Sequence, residues 1–146
     1  MAKRSYKGIL ADDGQDRIRV RTNKGKVGYR ITKLQLMGKL PAGANQESVV
    51  KITKVKQTSF SAIVDFTDYN LLAVAYLESA ADAKTESQAQ VVIFDNEVFN
   101  QDIYISHVDS ESGESCNYYI ELETIDLSDA QMSQVTLKSL RTLVSR

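Results

Sequence analysis

His107 and Cys116 are the only histidine and the only cysteine among the 146 residues. A thiol beside an imidazole is the smallest arrangement that supports nucleophilic catalysis, provided that a third group orients the pair. A hairpin with its loop at Glu111 and Ser112 would place the two side chains opposite each other on neighbouring strands. The sequence marks no orienting group, so a small buried thiol beside a half-buried imidazole is the favoured interpretation.

The sequence offers few ligands for a metal ion. A structural zinc site takes four ligands, mostly Cys and His, and only two such side chains exist. Asp109, Glu111 and Glu114 surround Gly113 in one loop and offer oxygen ligands to calcium, but their spacing is not that of an EF-hand. No Walker-type phosphate loop and no Gly-x-Ser-x-Gly elbow is present. We therefore predict no catalytic residue, no metal, no cofactor and no enzymatic activity.

Charge is divided unevenly along the chain, although the formal net charge is only -1. Residues 1–56 hold 14 Lys or Arg against 4 Asp or Glu, a balance of +10. Residues 57–146 hold 4 Lys or Arg against 15 Asp or Glu, a balance of −11. Such asymmetry bears on partners rather than on fold. Either the two parts interleave within the domain and cancel, or a basic and an acidic surface meet on neighbouring molecules.

The basic residues near the N-terminus are the candidate assembly and partner-binding surface. They are Lys3, Arg4, Lys7, Arg17, Arg19, Arg21, Lys24 and Lys26. A cationic region of this kind satisfies what phosphate contacts require, but no nucleic-acid-binding motif accompanies it. An acidic protein surface accounts for the same residues by charge complementarity. The predicted partners are therefore other copies of the chain and other proteins, with nucleic acid as the alternative.

Hydrophobic patterning predicts that an all-β domain positions these residues, because short apolar segments recur between turn signals. The predicted strands are 17–21, 27–37, 49–55, 60–66, 71–77, 91–94, 99–108 and 116–125. In the second of these the apolar residues change face between Ile31 and Leu34, which predicts a bulge. Segments 71–77 and 91–94 are apolar on both faces, which predicts buried strands. Segment 60–66 alternates and is predicted to have one core face.

The N-terminal residues differ from this pattern. Residues 1–16 supply little apolar surface, which predicts an extended arm that becomes ordered on binding. The remaining residues, 17–146, are predicted to form a single domain. The predicted fold class is an antiparallel β-sandwich, and a jelly roll is one of the topologies that the pattern allows.

The C-terminal residues change to helical spacing. Ser128 followed by Gln131 is a capping box, and it predicts a helix over 128–145. Leu137, Leu140 and Val144 recur at helical spacing. If the helix packs on the sandwich, a charged residue in place of Leu140 should destabilise the fold.

The sequence also bears on location. No apolar run approaches the roughly 20 residues that a membrane-spanning helix needs, and residues 1–7 lack the apolar stretch of a signal peptide. A single cysteine allows no disulfide within the chain. We therefore expect a protein made and kept in a reducing compartment, with no membrane partner.

Three stretches carry a resemblance to known proteins: GQDRIR at 14–19 running on to GKVGYRI at 25–31, VIFDNEVFNQDIYI at 92–105, and CNYYIELE at 116–123. They resemble a group of small proteins encoded by marine bacteriophages, mostly from uncultivated sources. The resemblance extends from about residue 8 to about residue 143. It implies a structural protein of the virion, made in the cytoplasm of the bacterial host, with other virion proteins as partners. It carries no catalytic residues over to this chain.

The resemblance and the residues together favour a non-enzymatic capsid-associated protein, either a coat, a minor or a decoration protein. Such a protein acts by self-association and docking. Two alternatives remain at this point. One is a nucleic-acid-binding module that uses the basic N-terminal region, and the other is a tail or virion-borne component active on glycans.

Overall fold

The computed structural model describes residues 2–22, 25–40, 45–79, 88–111 and 113–144. The elements in these residues are β1 (Lys3–Leu10), β2 (Gly14–Ile18), β3 (Val27–Gly38), β4 (Gln46–Thr53), β5 (Leu71–Ser79), β6 (Gln88–Phe94), β7 (Ile103–Asp109), β8 (Cys116–Asp126) and α1 (Asp129–Val144). The strands form two antiparallel sheets, one in the order β1-β8-β3 and one in the order β2-β7-β4-β5-β6. The sheets pack as a sandwich, so the predicted fold class is confirmed.

The core lies between the two sheets, where alternate residues of the central strands meet. Ile52 and Ile105 on the five-stranded sheet and Ile120 and Leu122 on the three-stranded sheet are completely buried. Their β-branched or aliphatic side chains fit the pleated surface of a strand. Burying each one contributes about 1.5–3 kcal/mol. The edge strands β1 and β2, which carry basic side chains, therefore belong to a well-packed sandwich.

The predicted extended arm is instead part of the sandwich. Every residue of β1 pairs with β8, from Lys3 opposite Glu123 to Leu10 opposite Cys116. Leu10 is buried, and Tyr6 packs against the core. Two apolar side chains suffice to hold β1 in the sandwich, because this edge strand also gains main-chain hydrogen bonds from β8. The basic residues of this segment are therefore fixed on a sheet.

Two strand predictions agree with the structure in their geometry, and a third agrees only in part. The register of β3 against β8 shifts between Ile31 and Lys33, which confirms the predicted bulge. Segment 71–77 is an interior strand, since β5 pairs with strands on both sides. Segment 91–94 is a strand, but it is an edge strand whose Val91 and Ile93 side chains are about half exposed. Its predicted burial was wrong because only one face, with Val92, packs against the core, and within the described residues β6 pairs with β5 alone.

Segment 60–66 is not a strand, and its predicted core face was wrong. The Ser61 hydroxyl accepts the N–H of Ile63, and the Asp65 carboxylate accepts both the N–H and the hydroxyl of Thr67. These short-range bonds satisfy the backbone locally and so compete with a strand ladder. The Ile63 side chain is left 76% exposed and Phe66 65% exposed.

The C-terminal helix begins as predicted. The Ser128 N–H donates to Gln131 Oε1 at 3.0 Å, and the Gln131 N–H donates to Ser128 Oγ at 3.2 Å, which completes the capping box. Leu137 is 60% exposed, so this residue does not pack on the sandwich. The Leu140 side chain lies outside the described part of the structure. The polar contacts of the helix include the ion pair Lys26–Asp129 and the hydrogen bond from Asn100 to Thr136. Within the described residues no helix has the length and apolar character that crossing a membrane requires.

Candidate functional site

His107 and Cys116 do not lie in a hairpin, because β7 and β8 belong to different sheets. Both side chains point into the sandwich at the same end, where Ser48 of β4 lies between them. The distance from His107 Nε2 to Ser48 Oγ is 2.8 Å, and the hydroxyl also interacts with the Cys116 thiol. The pair predicted from the sequence is thus joined through a serine that the sequence analysis did not single out.

The hydrogen bonds of His107 fix its tautomer. Nδ1 lies 3.0 Å from the carbonyl oxygen of Ala11. Because a carbonyl only accepts, Nδ1 carries a proton, and in the neutral imidazole Nε2 accepts the hydroxyl proton of Ser48. Ser48 Oγ in turn accepts from Gln46 Nε2 at 2.6 Å. The serine and the imidazole have the relative arrangement of a nucleophile and its base.

Burial opposes a catalytic role for this group. Ser48 and His107 are completely buried and Cys116 is 1% exposed, so a substrate has no access to them. Burial also raises the pKa of the Cys116 thiol to about 11. A thiol with that pKa remains protonated at neutral pH, whereas the thiolate is the nucleophile. The group is best explained as buried polar side chains that satisfy one another.

The carboxylate loop is organised around Asp109. Its Oδ1 accepts the N–H groups of Glu47 and Glu111 at 3.1 and 3.0 Å, and its Oδ2 accepts the N–H of Glu114 at 2.7 Å. These bonds turn the Asp109 carboxylate toward the backbone of β4 and of the loop that follows β7. Among the described residues no group of three or more His, Cys, Asp or Glu side chains is arranged to hold a metal ion.

The structure places most of the predicted basic residues along one side of the sandwich. β1 and β2 are edge strands of the two sheets, and they follow each other in the chain on the same side. We call this side the basic edge, defined by Lys3, Arg4, Lys7, Arg17, Arg19 and Arg21. Lys3 and Lys7 lie on the outer face of β1, and the Arg4 guanidinium lies 5.7 Å from the centre of the Tyr29 ring.

Asp102 holds the β2 part of the basic edge in place. Its Oδ2 accepts Arg17 Nε at 2.8 Å, and its Oδ1 accepts the N–H groups of Val20 and Arg21, each at 2.9 Å. Burial alone would raise the pKa of Asp102, but these three donors outweigh it, and the pKa lies below its usual range. The clamp ends β2 at Ile18, although the sequence predicted a strand over 17–21.

Arg19 and Arg21 have a different environment from the rest of the basic half. Val20 between them is buried, and both arginines are exposed. Neither side chain has an ion pair within the described residues.

Other basic residues are neutralised by the acidic half of the chain. The ion pairs Arg30–Glu123 and Lys54–Glu97 each join the two halves. Lys26 pairs with Asp129 of α1 at 3.3 Å, so it serves the helix rather than the basic edge. Lys24 lies outside the described residues. The basic residues 1–56 and the acidic residues 57–146 therefore neutralise each other within the domain, but not at Arg19 and Arg21.

A second surface lies at the opposite edge of the five-stranded sheet. We call it the acidic aromatic edge, defined by Asp65, Phe66, Asp68, Tyr69, Phe94 and Asp95. Tyr69 is 84% exposed, and Phe66, Phe94 and Asp95 line one shallow cavity of about 290 Å³ with residues of β5 and β6. None of the three carboxylates has an ion pair within the described part of the chain. This edge thus exposes aromatic rings and acidic groups together.

The strand register places the two edges at the same level of the sheet. Arg17 of β2 lies opposite Tyr104 of β7, which lies opposite Thr53 of β4, which lies opposite Leu71 of β5. The Asp95 N–H then donates to the carbonyl of Leu72 at 3.1 Å. One row of residues therefore crosses the sheet from the basic edge to the acidic aromatic edge.

A further concavity lies on the outer face of the three-stranded sheet. It has a volume of about 720 Å³, and its lining includes Lys7, Ile9, Met37, Asn117 and Tyr119. The Tyr119 hydroxyl donates to Glu121 Oε1 at 2.8 Å, which raises the pKa of the phenol. The lining combines apolar surface and amide groups with Lys7, which lies directly opposite Tyr119 in the strand register.

Sequence reasoning missed the acidic aromatic edge because Phe66 was assigned to the core face of a strand and Phe94 to a buried strand. The cluster of Asp and Ser residues around 58–70 was an available signal, since such residues favour turns.

Comparison of the chain with models of known protein families and with curated proteins gives no match.

Proposed function

We propose that this protein is a non-enzymatic structural protein of a bacteriophage virion, which acts by self-association and by docking on other virion proteins. The observation that carries the proposal is the acidic aromatic edge, where large apolar side chains are exposed beside β6, which pairs on one side only within the described residues. Edge strands and contiguous exposed apolar residues are characteristic of association surfaces. A coat, a minor and a decoration protein of the capsid are the roles that fit such a surface.

The strand pairing adds support from fold analogy. The pairs β1–β8, β2–β7 and β4–β5 are nested, as they are when a long hairpin folds into a jelly roll. The remaining nested pair, β3 with β6, is represented by Gln90, whose side chain donates to and accepts from the backbone of Leu36. We infer a jelly-roll-like sandwich with β6 moved into the larger sheet. Jelly rolls are frequent in viral capsid proteins, although a fold alone does not specify a function.

The proposal is tested by sedimentation velocity of the purified chain over a concentration series, combined with pelleting against purified virions of a phage that encodes it. We expect a defined oligomer, binding to the particles, or both. A chain that stays monomeric at every concentration and does not pellet with the particles would contradict the proposal.

Nucleic-acid binding is the second candidate, and the specific observation in its favour is the exposure of Arg19 and Arg21 without an ion pair. Phosphate contacts release counterions, so binding to DNA must weaken steeply as salt is added. Absence of DNA binding in low-salt titrations would exclude this candidate. Binding that is indifferent to salt would also contradict it.

A further inference from the structure

The two edges of the five-stranded sheet are chemically complementary. We infer that copies of this chain associate head to tail, with the acidic aromatic edge of one copy binding Arg19 and Arg21 of the next. The inference rests on the proposed function and deepens it, because it names the two surfaces and the symmetry of their contact.

The acidic aromatic edge has the two kinds of group that recognise a guanidinium. Carboxylates accept its planar fork of N–H donors, and aromatic faces stack on it. Asp95 is exposed and lies with Phe66 on one cavity. The Tyr69 ring is also exposed. It lies near this cavity, because the carbonyl of the preceding Asp68 accepts the N–H of Leu71, the cavity residue at the start of β5.

The backbone that carries the exposed arginines of the basic edge is anchored to the sandwich. The Asp102 carboxylate accepts the Arg17 side chain on one side of the exposed Arg19 and the backbone N–H groups of Val20 and Arg21 on the other. The entropy lost when a partner binds is smaller for a segment that is already ordered. The row that crosses the sheet begins at Arg17 and ends beside Asp95. Arg19 and Arg21 follow Arg17 in the chain, so a neighbour displaced sideways brings its carboxylates to the same end of the sheet as these arginines.

Charge decides between the two possible symmetries. A two-fold contact between two acidic aromatic edges would bring the carboxylates of Asp65, Asp68 and Asp95 together with their equivalents. Like charges at an interface cost several kcal/mol, whereas a contact between unlike edges removes that repulsion. A contact between different surfaces of identical chains generates a closed ring or an open filament.

Two variants, each with one damaged edge, test the inference. The first carries Arg19→Glu and Arg21→Glu, and it retains the acidic aromatic edge. The second carries Phe66→Lys and Asp95→Lys, and it retains the basic edge. All four side chains are exposed, so circular dichroism should show folded proteins. The control carries Lys33→Glu and Lys39→Glu on the β3 side, with the same change in net charge as the first variant.

Sedimentation velocity on the separate and mixed proteins gives the readout. We expect the wild type and the control to form higher oligomers, and each edge variant alone to associate at least about tenfold more weakly, which corresponds to about 1.4 kcal/mol. An equimolar mixture of the two variants should form a dimer that grows no further, since each partner contributes its intact edge.

Three results would overturn the inference and can be told apart. If either variant forms a dimer alone, its intact edge pairs with itself and the symmetry is two-fold. If the wild type assembles and both variants assemble equally well, another surface is used, and the proposed self-association survives. If the wild type is monomeric at every concentration, the self-association in the proposed function fails as well.

Discussion

Arg17 and Asp102 are 85 residues apart in the chain, and Arg17 Nε donates a hydrogen bond of 2.8 Å to Asp102 Oδ2. The same carboxylate accepts the N–H groups of Val20 and Arg21. One side chain from the acidic half thus orders the segment that carries the exposed arginines. Hydrogen bonds to a charged partner contribute more than neutral ones, about 1.5–3 kcal/mol each.

Replacement of Asp102 by alanine should therefore destabilise the protein and loosen the basic edge. We expect the free energy of unfolding to fall by about 2–4 kcal/mol, because two backbone N–H groups and one guanidinium lose their acceptor. Urea denaturation measures the free energy of unfolding, and amide hydrogen exchange at Val20 and Arg21 measures the loosening of the basic edge. Glu111→Gln, at an exposed loop position, serves as the control with little change. A loss of stability without faster exchange at these two amides would contradict the clamp.

The pH dependence of stability follows from the same carboxylate. Its pKa is lowered in the folded state, so the stabilisation is complete above the unfolded pKa of about 3.9 and is lost as pH falls through the folded value. The difference in unfolding free energy between wild type and Asp102→Asn should therefore be largest near neutral pH and shrink below about pH 4. Urea denaturation over a pH series measures it. A difference that stays constant with pH would show that ionised Asp102 is not the stabilising form.

Cys116 should resist chemical modification in the native protein. Burial raises the pKa of its thiol to about 11, so both access and the thiolate fraction are low at pH 8. We expect slow reaction with a disulfide reagent such as DTNB, and fast reaction after unfolding in urea, which serves as the internal control. Rapid labelling of the folded chain would reopen the nucleophile hypothesis for this residue.

Asn100 should couple the helix to the sandwich. Its Nδ2 donates to the Gly25 carbonyl at 3.0 Å and to Thr136 Oγ1 of α1 at 2.9 Å. Asn100→Ala should cost about 1–3 kcal/mol, because the buried carbonyl loses its donor. It should also speed amide exchange in α1. Thr136→Val should also speed amide exchange in α1, but it should lower the free energy of unfolding less. Gln134→Ala, at an exposed helix position, should change neither quantity. Unchanged exchange in α1 for Asn100→Ala would show that other contacts hold the helix.

Several features of the fold followed from local patterns. The capping box of Ser128 and Gln131 forms because its two hydrogen bonds join residues three apart. The bulge near Ile31 and Lys33 follows from a change of parity within one strand. In both cases neighbouring residues contain all the physical information that the prediction uses.

Other features depended on partners that are distant in sequence. β1 was predicted as an arm because it has few apolar residues, yet β8 provides its hydrogen-bond partners. Val91 and Ile93 were predicted as core because they are apolar, yet strand order leaves β6 at an edge. Exposure in a sheet is decided by which strands lie beside and above it, and a single segment does not contain that information.

The sequence by itself determined the β-rich character of the chain, the C-terminal helix and the division of charge near residue 56. Only the tertiary structure decided where those charges lie. It neutralises Arg30 and Lys54 against Glu123 and Glu97, and it leaves Arg19 and Arg21 at one edge with carboxylates at the other. The physical reason is that charge along a chain is additive and can be read locally, whereas pairing of charges depends on sheet register between segments far apart in the sequence.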